Sequence, residues 1–436
     1  MKNFLDAIKE KILVYDGSKG YLLQKLGLKG GECGELWNLT HREAVKNVYR
    51  QYKEAGSDVL QTNTFPGNRA HLEKYSLGDK AYEINYWGTK LAREIAGTER
   101  YVAASIGPTG TLFEPSGELT FEQAYEIFKE QVRAVADGGA DVINFETFTD
   151  VAEMRAALLA AKENSTLPVI CSMAFEANGR TLMGTDPLTA VTTLRSLGAD
   201  MVGTNCSFGA ANMLEIVKAM HTAGGGYLSV KPNAGLPEVE GDNVCYNETS
   251  EDFADVSVKF VKFGARLIGG CCGTTPEYIK AVRSALEKLK PEPPQISMKR
   301  AVTSGMKYLE VDALDRSDIG RLDTGSSNEL LEELKKGNLS YAEDVVLDLS
   351  TEGHSAVYIN VDAASDEGLL KKVVNIAQGF IREPLIIETS KPQELEKALR
   401  IYKGVAGVVI GDVSENLREE LMKPVNKYGS VALRKI

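Results

Sequence analysis

Gly138-Gly-Ala-Asp-Val-Ile143 ends a helical pattern and starts an apolar strand in one step. The chain repeats this join at Ala55-Gly-Ser-Asp-Val-Leu60, Leu197-Gly-Ala-Asp-Met-Val202 and Phe263-Gly-Ala-Arg-Leu-Ile268. Between the copies lie further short apolar runs: Ile12–Tyr15, Tyr101–Ile106, Pro168–Ala174 and Gly226–Val230. Helical patterns such as Phe121–Asp137 and Val151–Asn164 separate them. Continuous Val/Ile/Leu strands alternating with helices indicate a parallel sheet buried on both faces. Eight such strands before residue 290 predict an α/β fold, a (β/α)₈ TIM barrel, whose usual size is about 250 residues.

In that architecture the active site forms at the C-terminal ends of the strands. The unusual residues fall there: Asp16-Gly17, Thr62-Asn-Thr-Phe65, Ser105-Ile-Gly107, Glu146-Thr147, Asn205-Cys206, Lys231-Pro-Asn233 and Cys271-Cys272. The last pair stands inside Gly269-Gly-Cys-Cys-Gly-Thr-Thr-Pro276. A disulfide between neighbours is strained, and glycines on both sides let two sulfurs approach one point. The pair suits two thiolates on one soft ion, zinc first, with Cys206 across the barrel mouth as the third. The bland reading, buried reduced thiols, stays open, and it is preferred for Cys33, Cys171 and Cys245.

The other candidates have plain alternatives. Glu146 ends an apolar strand and needs either a substrate cation or a buried Arg or Lys partner. Asp16-Gly17, Thr62 and Asn233 also fit turns. The four histidines (His41, His71, His221 and His354) read as surface or packing residues. Three cysteinates on zinc leave one exchangeable position and a centre already neutralised, poor at making hydroxide but suited to a substrate thiol. Coordination keeps that thiol, ordinarily near pKa 8.5, as a nucleophilic thiolate. The implied chemistry is attack of a substrate sulfur on an alkyl donor, with Glu146 for an ammonium and N–H groups near Asp16-Gly17 for a carboxylate.

Composition narrows the classes. Of 436 residues, 43% are hydrophobic and 25% charged, as in an ordinary globular chain. A formal charge of −11 argues against nonspecific nucleic-acid binding. No apolar run spans a bilayer, and Met1–Glu10 reads as an amphipathic helix start, not a signal peptide. Six scattered cysteines do not form a disulfide framework, so the expected setting is a reducing cytoplasm.

Gly269–Pro276, Gly203-Thr-Asn-Cys206, Asp141-Val-Ile-Asn-Phe-Glu-Thr147, Gln61-Thr-Asn-Thr-Phe65 and Lys231-Pro-Asn-Ala-Gly235 together resemble the homocysteine S-methyltransferase family. The likeness is greatest to the homocysteine module of cobalamin-dependent methionine synthases and covers residues 1–290. It implies a zinc barrel that methylates homocysteine to methionine. Zinc falls on Cys206, Cys271 and Cys272. Glu146 falls where the family holds the substrate amino group. Asp16, Gly17, Thr62 and Asn233 are further contacts, as is Ser105, which stands where the family often has aspartate.

Three prolines in Lys288-Leu-Lys-Pro-Glu-Pro-Pro-Gln295 mark a linker, taken as 291–305. Residues 306–436 resume the βα rhythm. Strands are expected at Ala356–Val361, Pro384–Glu388, Gly407–Ile410 and Ser430–Leu433, giving a partial, half-barrel domain whose open sheet must be covered by the barrel, a second copy or a partner. Ile319-Gly-Arg-Leu-Asp323, Tyr358-Ile-Asn360 and Ile387-Glu-Thr-Ser390 resemble an eroded pterin-binding module in which Arg321 and Asn360 survive. The resemblance therefore implies a methyl group supplied as methylcobalamin by a separate methyl-corrinoid protein. The half barrel would serve docking or homo-oligomerisation. Betaine or S-methylmethionine as donor, a demethylating subunit, and a non-catalytic zinc scaffold are the competing readings.

Overall fold

The computed structural model describes residues 2–114, 117–240 and 243–434; the side chains of 237–240 and 243–245 lie outside that description. The strands before residue 290 are β1 (Leu13–Val14), β2 (Val59–Gln61), β3 (Tyr101–Ile106), β4 (Val142–Phe148), β5 (Val169–Met173), β6 (Met201–Gly209), β7 (Leu228–Asn233), β8 (Pro237–Glu240), β9 (Asn243–Tyr246) and β10 (Ala265–Ile268). Eight form one parallel sheet in the order β1-β10-β7-β6-β5-β4-β3-β2, and a parallel bridge from Tyr15 to Val59 closes it into the expected barrel. The remaining two, β8 and β9, make an antiparallel hairpin after β7.

The repeated join has a physical reason at each residue. Its glycines, Gly56, Gly139, Gly198 and Gly264, have φ of 99°, 95°, 97° and 82°. That left-handed turn ends each helix with no Cβ penalty. The aspartates then fasten neighbouring strands. Asp58 accepts from the Val14 N–H (3.0 Å), Asp141 from Val102 (2.7 Å) and Asp200 from Val169 (2.9 Å). Each carboxylate satisfies an N–H at the start of the preceding strand that the ladder leaves open. In the fourth copy Arg266 instead reaches the carbonyl of Glu292.

The barrel floor is sealed. The N-terminal helix Phe4–Glu10 inserts Phe4, Ala7 and Ile8 against Leu13, Val59, Tyr101, Val142, Ile170, Met201 and Leu267. Only the opposite end, where the strands finish, is left for a site.

Beyond the proline segment, β11 (Ala301–Thr303) and β12 (Tyr308–Glu310) pair antiparallel, so regular structure begins inside the stretch read as linker. The strands β13 (Ile319–Asp323), β14 (Ala356–Asn360), β15 (Leu385–Ile387), β16 (Gly407–Val409) and β17 (Val431–Leu433) form an open parallel sheet in sequential order. One face, with Val357, Ile359, Leu385 and Ile387, joins the same continuous core as the barrel. The other, with Ala356, Tyr358, Ile386, Val409 and Leu433, is packed by Leu309, Val311 and Leu314.

The barrel helix Val151–Asn164 shows what covers the helical side of this sheet. It is buried without interruption from Val151 to Ala161, because the barrel lies on one side and the C-terminal domain on the other. Arg155 donates to the carbonyl of Leu399 (3.1 Å), and Arg400 pairs with Glu122 (2.9 Å) and Glu163 (3.3 Å). No helix among the described residues is long and apolar enough to cross a membrane.

Candidate active site

Two strand ends at the mouth are bent out of regular geometry. The pairing of β4 with β5 slips between Phe145 and Phe148, and that of β6 with β7 between Asn205 and Gly209. Thr147 (φ 64°), Cys206 (φ 65°) and Ser207 (φ 64°) take the left-handed conformation that non-glycine residues avoid. Asn205 ties the two irregularities together. Its Oδ1 accepts from the Thr147 N–H (2.8 Å) and its Nδ2 donates to Thr147 Oγ1 (2.7 Å). The twist turns the Cys206 side chain toward the turn after β10.

That turn is built to offer two sulfurs. Cys271 N–H donates to the Pro232 carbonyl (2.7 Å), Cys272 N–H to Asn233 Oδ1 (3.1 Å), and Thr274 Oγ1 to the Cys271 carbonyl (2.7 Å). A Cβ on Gly270 would run into the Thr274 side chain. The glycine is therefore required by close approach.

The sulfurs of Cys206, Cys271 and Cys272 all lie within 4.8 Å of one another, and Cys206 Sγ is 3.9 Å from Cys272 Sγ. Tetrahedral zinc with Zn–S bonds of about 2.3 Å sets its sulfurs about 3.8 Å apart, so the donor set fits that ion in spacing and in softness. Among the described residues this is the one cluster of Cys, His, Asp and Glu with metal-site spacing. The thiols also share charge. Cys206 is shifted toward the thiolate because Cys271 and Cys272 donate to it, and the Cys271 thiol is pushed up in consequence. Asn205 Nδ2 lies 3.8 Å from Cys271 Sγ, a donor aimed at the sulfur.

The cluster opens into a cavity of about 400 Å³. Gly17, Thr62, Ser105 and Glu146 line it together with all three cysteines. Asp16 and Asn233 stand behind the wall. Asp16 is fully buried, accepts from Gln61 N–H (2.8 Å) and pairs with Lys19 (3.2 Å); burial pushes its carboxyl up. Asn233 acts through the Cys272 N–H. Thr62 Oγ1 accepts from the Ser105 N–H (2.9 Å), which leaves Ser105 Oγ to donate to Glu146 Oε1. Glu146 also accepts from Gln61 Nε2 (2.8 Å) and pairs closely with Lys231.

The sequence singles out neither the wall residues Lys231, Gln61 and His71 nor Asn205, which stands behind the wall. Lys231, Gln61 and Asn205 sit inside the quoted motifs, but their neighbours drew the attention. His71 was read as a surface or packing residue; the short helix Arg69–Glu73 after β2 instead folds over the mouth and places it on the cavity wall. Desolvation pushes its imidazole down, with a smaller effect of Lys74. Cys33 and Cys171 are buried away from the cluster, and the side chain of Cys245 lies outside the described residues.

The model of the family described as homocysteine S-methyltransferase matches residues 13–286. A methionine synthase from Mycobacterium tuberculosis is 28% identical over 99% of this chain, and one from Mycobacterium leprae 32% identical over 66%. The chain spans 38% and 25% of those relatives' lengths. Among solved structures, the metallated homocysteine methyltransferase MmuM from Escherichia coli superposes with a TM-score of 0.54 at 22% identity, covering 63% of this chain and 96% of that one. The likeness supports the barrel as a fold.

Proposed function

The chain belongs to the homocysteine S-methyltransferase family, and from that premise we propose that it is a zinc-dependent homocysteine methyltransferase forming methionine. The observation that supports this most is the convergence of three sulfurs, from β6 and from the turn after β10, on one cavity. Cys206, Cys271 and Cys272 would hold zinc, which when bound supplies the Lewis acidity that keeps a substrate thiol deprotonated at neutral pH.

The chain's own residues set the conditions for that chemistry. Asn205 directs an N–H at Cys271 Sγ, and Asn233 fixes the Cys272 backbone. Hydrogen bonds of this kind orient ligands and disperse their charge. Walls from Gly17, Thr62, Ser105 and Glu146 receive the amino-acid end of the substrate and exclude water from the sulfur.

The donor is a methylated corrinoid carried by a separate protein. The similarity to a methionine synthase runs through 99% of the chain, so the C-terminal domain is included in it, which favours this donor over betaine or S-methylmethionine. A reducing, cytoplasmic setting keeps the three thiols free. The test is to incubate zinc-loaded protein and homocysteine with a methylated corrinoid protein, methylcobalamin, betaine or S-methylmethionine, and to measure methionine. Product with the corrinoid donors supports the proposal. Product only with the onium donors replaces the donor, and no product from any, with zinc bound, leaves the scaffold reading.

A further inference from the structure

Four arginines meet at one cavity of the C-terminal domain, in a chain whose formal charge is −11. Arg300 precedes β11, Arg316 follows the β11–β12 hairpin, Arg418 lies on the helix Glu415–Lys427 and Arg434 follows β17. The cavity measures about 380 Å³, a size that suits a small molecule. Its floor is apolar and includes Val311, Leu314, Ile410 and Met422. Ile410 and Arg434 place it beyond the carboxyl ends of β16 and β17, the end of an open parallel sheet at which ligands bind. It shares no lining residue with the cavity of the three cysteines.

The charge here is uncompensated. Elsewhere Arg69, Arg93, Arg283 and Arg400 each pair with a carboxylate. Among the described residues no Asp or Glu lines this cavity, and Arg316 and Arg434 have no hydrogen-bond or ion-pair partner. Arg300 donates to the Ala432 carbonyl and Arg418 to the Gly411 carbonyl (3.5 Å), contacts that brace the side chains and leave their charge standing. A guanidinium carries five N–H donors, so most of the donors around the cavity lack a protein acceptor. All four side chains are exposed, and a solute reaches them without movement of the chain. Four like charges around so small a volume repel one another, and an anion between them relieves that repulsion.

We infer that this cavity binds a small organic diphosphate, with the phosphates among the four guanidiniums and the organic body on the apolar floor. The planar fork of arginine matches pairs of phosphate oxygens. Two adjacent phosphates supply oxygens and charge for several forks at once, whereas a single carboxylate leaves most of them unpaired.

The test titrates the zinc-loaded full chain with ADP, AMP, pyrophosphate and citrate by calorimetry, at one ionic strength and without added divalent metal. ADP should bind most tightly. AMP, one phosphate shorter, should bind roughly 10-fold more weakly, as for loss of a charged hydrogen bond. Pyrophosphate and citrate carry the charge without an apolar body and should also fall roughly 10-fold behind, because the floor stays wet. The Arg316→Ala/Arg434→Ala variant removes two partnerless side chains, so it should fold as the parent does and bind ADP about 100-fold more weakly. Lys259→Ala/Lys262→Ala removes two exposed charges from the barrel and should leave ADP binding unchanged. An equal loss in both variants reveals a general charge effect and overturns the inference. So does ADP binding that survives in the arginine variant, citrate that binds as tightly as ADP, or a parent chain that does not bind ADP.

Discussion

Replacing Asn205 by alanine tests whether the mouth is a prepared metal site or three cysteines that happen to be close. Asn205 is fully buried, and its amide makes both hydrogen bonds that hold Thr147, at 2.8 and 2.7 Å, besides pointing at Cys271 Sγ from 3.8 Å. Each ordinary hydrogen bond contributes about 1 kcal/mol net. Against this, each left-handed non-glycine residue costs on the order of 1–3 kcal/mol, and Thr147 and Cys206 are both in that state. Without the amide the two strand ends are free to relax toward regular geometry, which carries Cys206 away from the pair after β10. Loss of a partner that orients a metal ligand lowers affinity roughly 10–100-fold. The assay is competition for zinc against a chromophoric chelator at fixed pH, with circular dichroism to show that the barrel persists. Asn205→Asp sharpens it. Aspartate keeps the acceptor for Thr147 N–H but turns a carboxylate toward the sulfurs, so its loss of affinity should exceed that of alanine. Loosening alone does not produce that order. Zinc affinity unchanged in both variants, with the fold intact, would refute the reasoning.

Cys271→Ser should abolish both stable zinc retention and turnover, because a hydroxyl is a hard, weakly acidic replacement for a thiolate; metal content after dialysis checks it. Gly198→Ala places a Cβ on a residue with φ of 97° and should lower stability by about 1–2 kcal/mol, read as a drop in Tm, with zinc affinity preserved. Glu153 gives a pH signature: burial pushes its carboxyl up to about 7, against the opposing hydrogen bonds from Thr109. With the folded value above the unfolded one, the protonated native state is favoured. The associated stability is therefore complete below about pH 4.5 and lost as pH rises through 7, a change of a few kcal/mol at most. Glu153→Gln should flatten that part of the Tm–pH curve, which thermal melts between pH 5 and 8 will show.

The barrel was legible because its signals are local. A glycine that must be left-handed and an aspartate that must cap a neighbouring strand recur at each join, so Gly56, Gly139 and Gly198 with Asp58, Asp141 and Asp200 announce the sheet without long-range information. The cysteine cluster was legible for a related reason, since barrel closure brings all strand ends to one rim. What escaped depends on side-chain reach. Lys231 sits in an apolar strand, and nothing local says that its Nζ crosses the barrel to Glu146, 85 residues away in sequence. His71 is carried to the cavity by the short helix Arg69–Glu73, whose placement over the mouth its own pattern does not encode.

The same distinction explains the C-terminal domain. Its strands were visible, but the surface that covers its helices was not, because the covering element is a barrel helix whose residues look overfilled for a surface helix. Val151–Ala161 is apolar or small on every side except at Glu153 and Arg155, a pattern that suits a helix buried all round. Arg155 is the exception that locates the interface. It is 1% exposed, burial pushes its guanidinium down to about 10, and it reaches the Leu399 carbonyl in the other domain. The two domains bury this side chain jointly, and the continuous core running from Val14 to Tyr428 makes them one packed body rather than two joined by a tether. The small domain is therefore placed by the outer layer of the barrel, and the mouth with its three sulfurs stays open for a donor to approach.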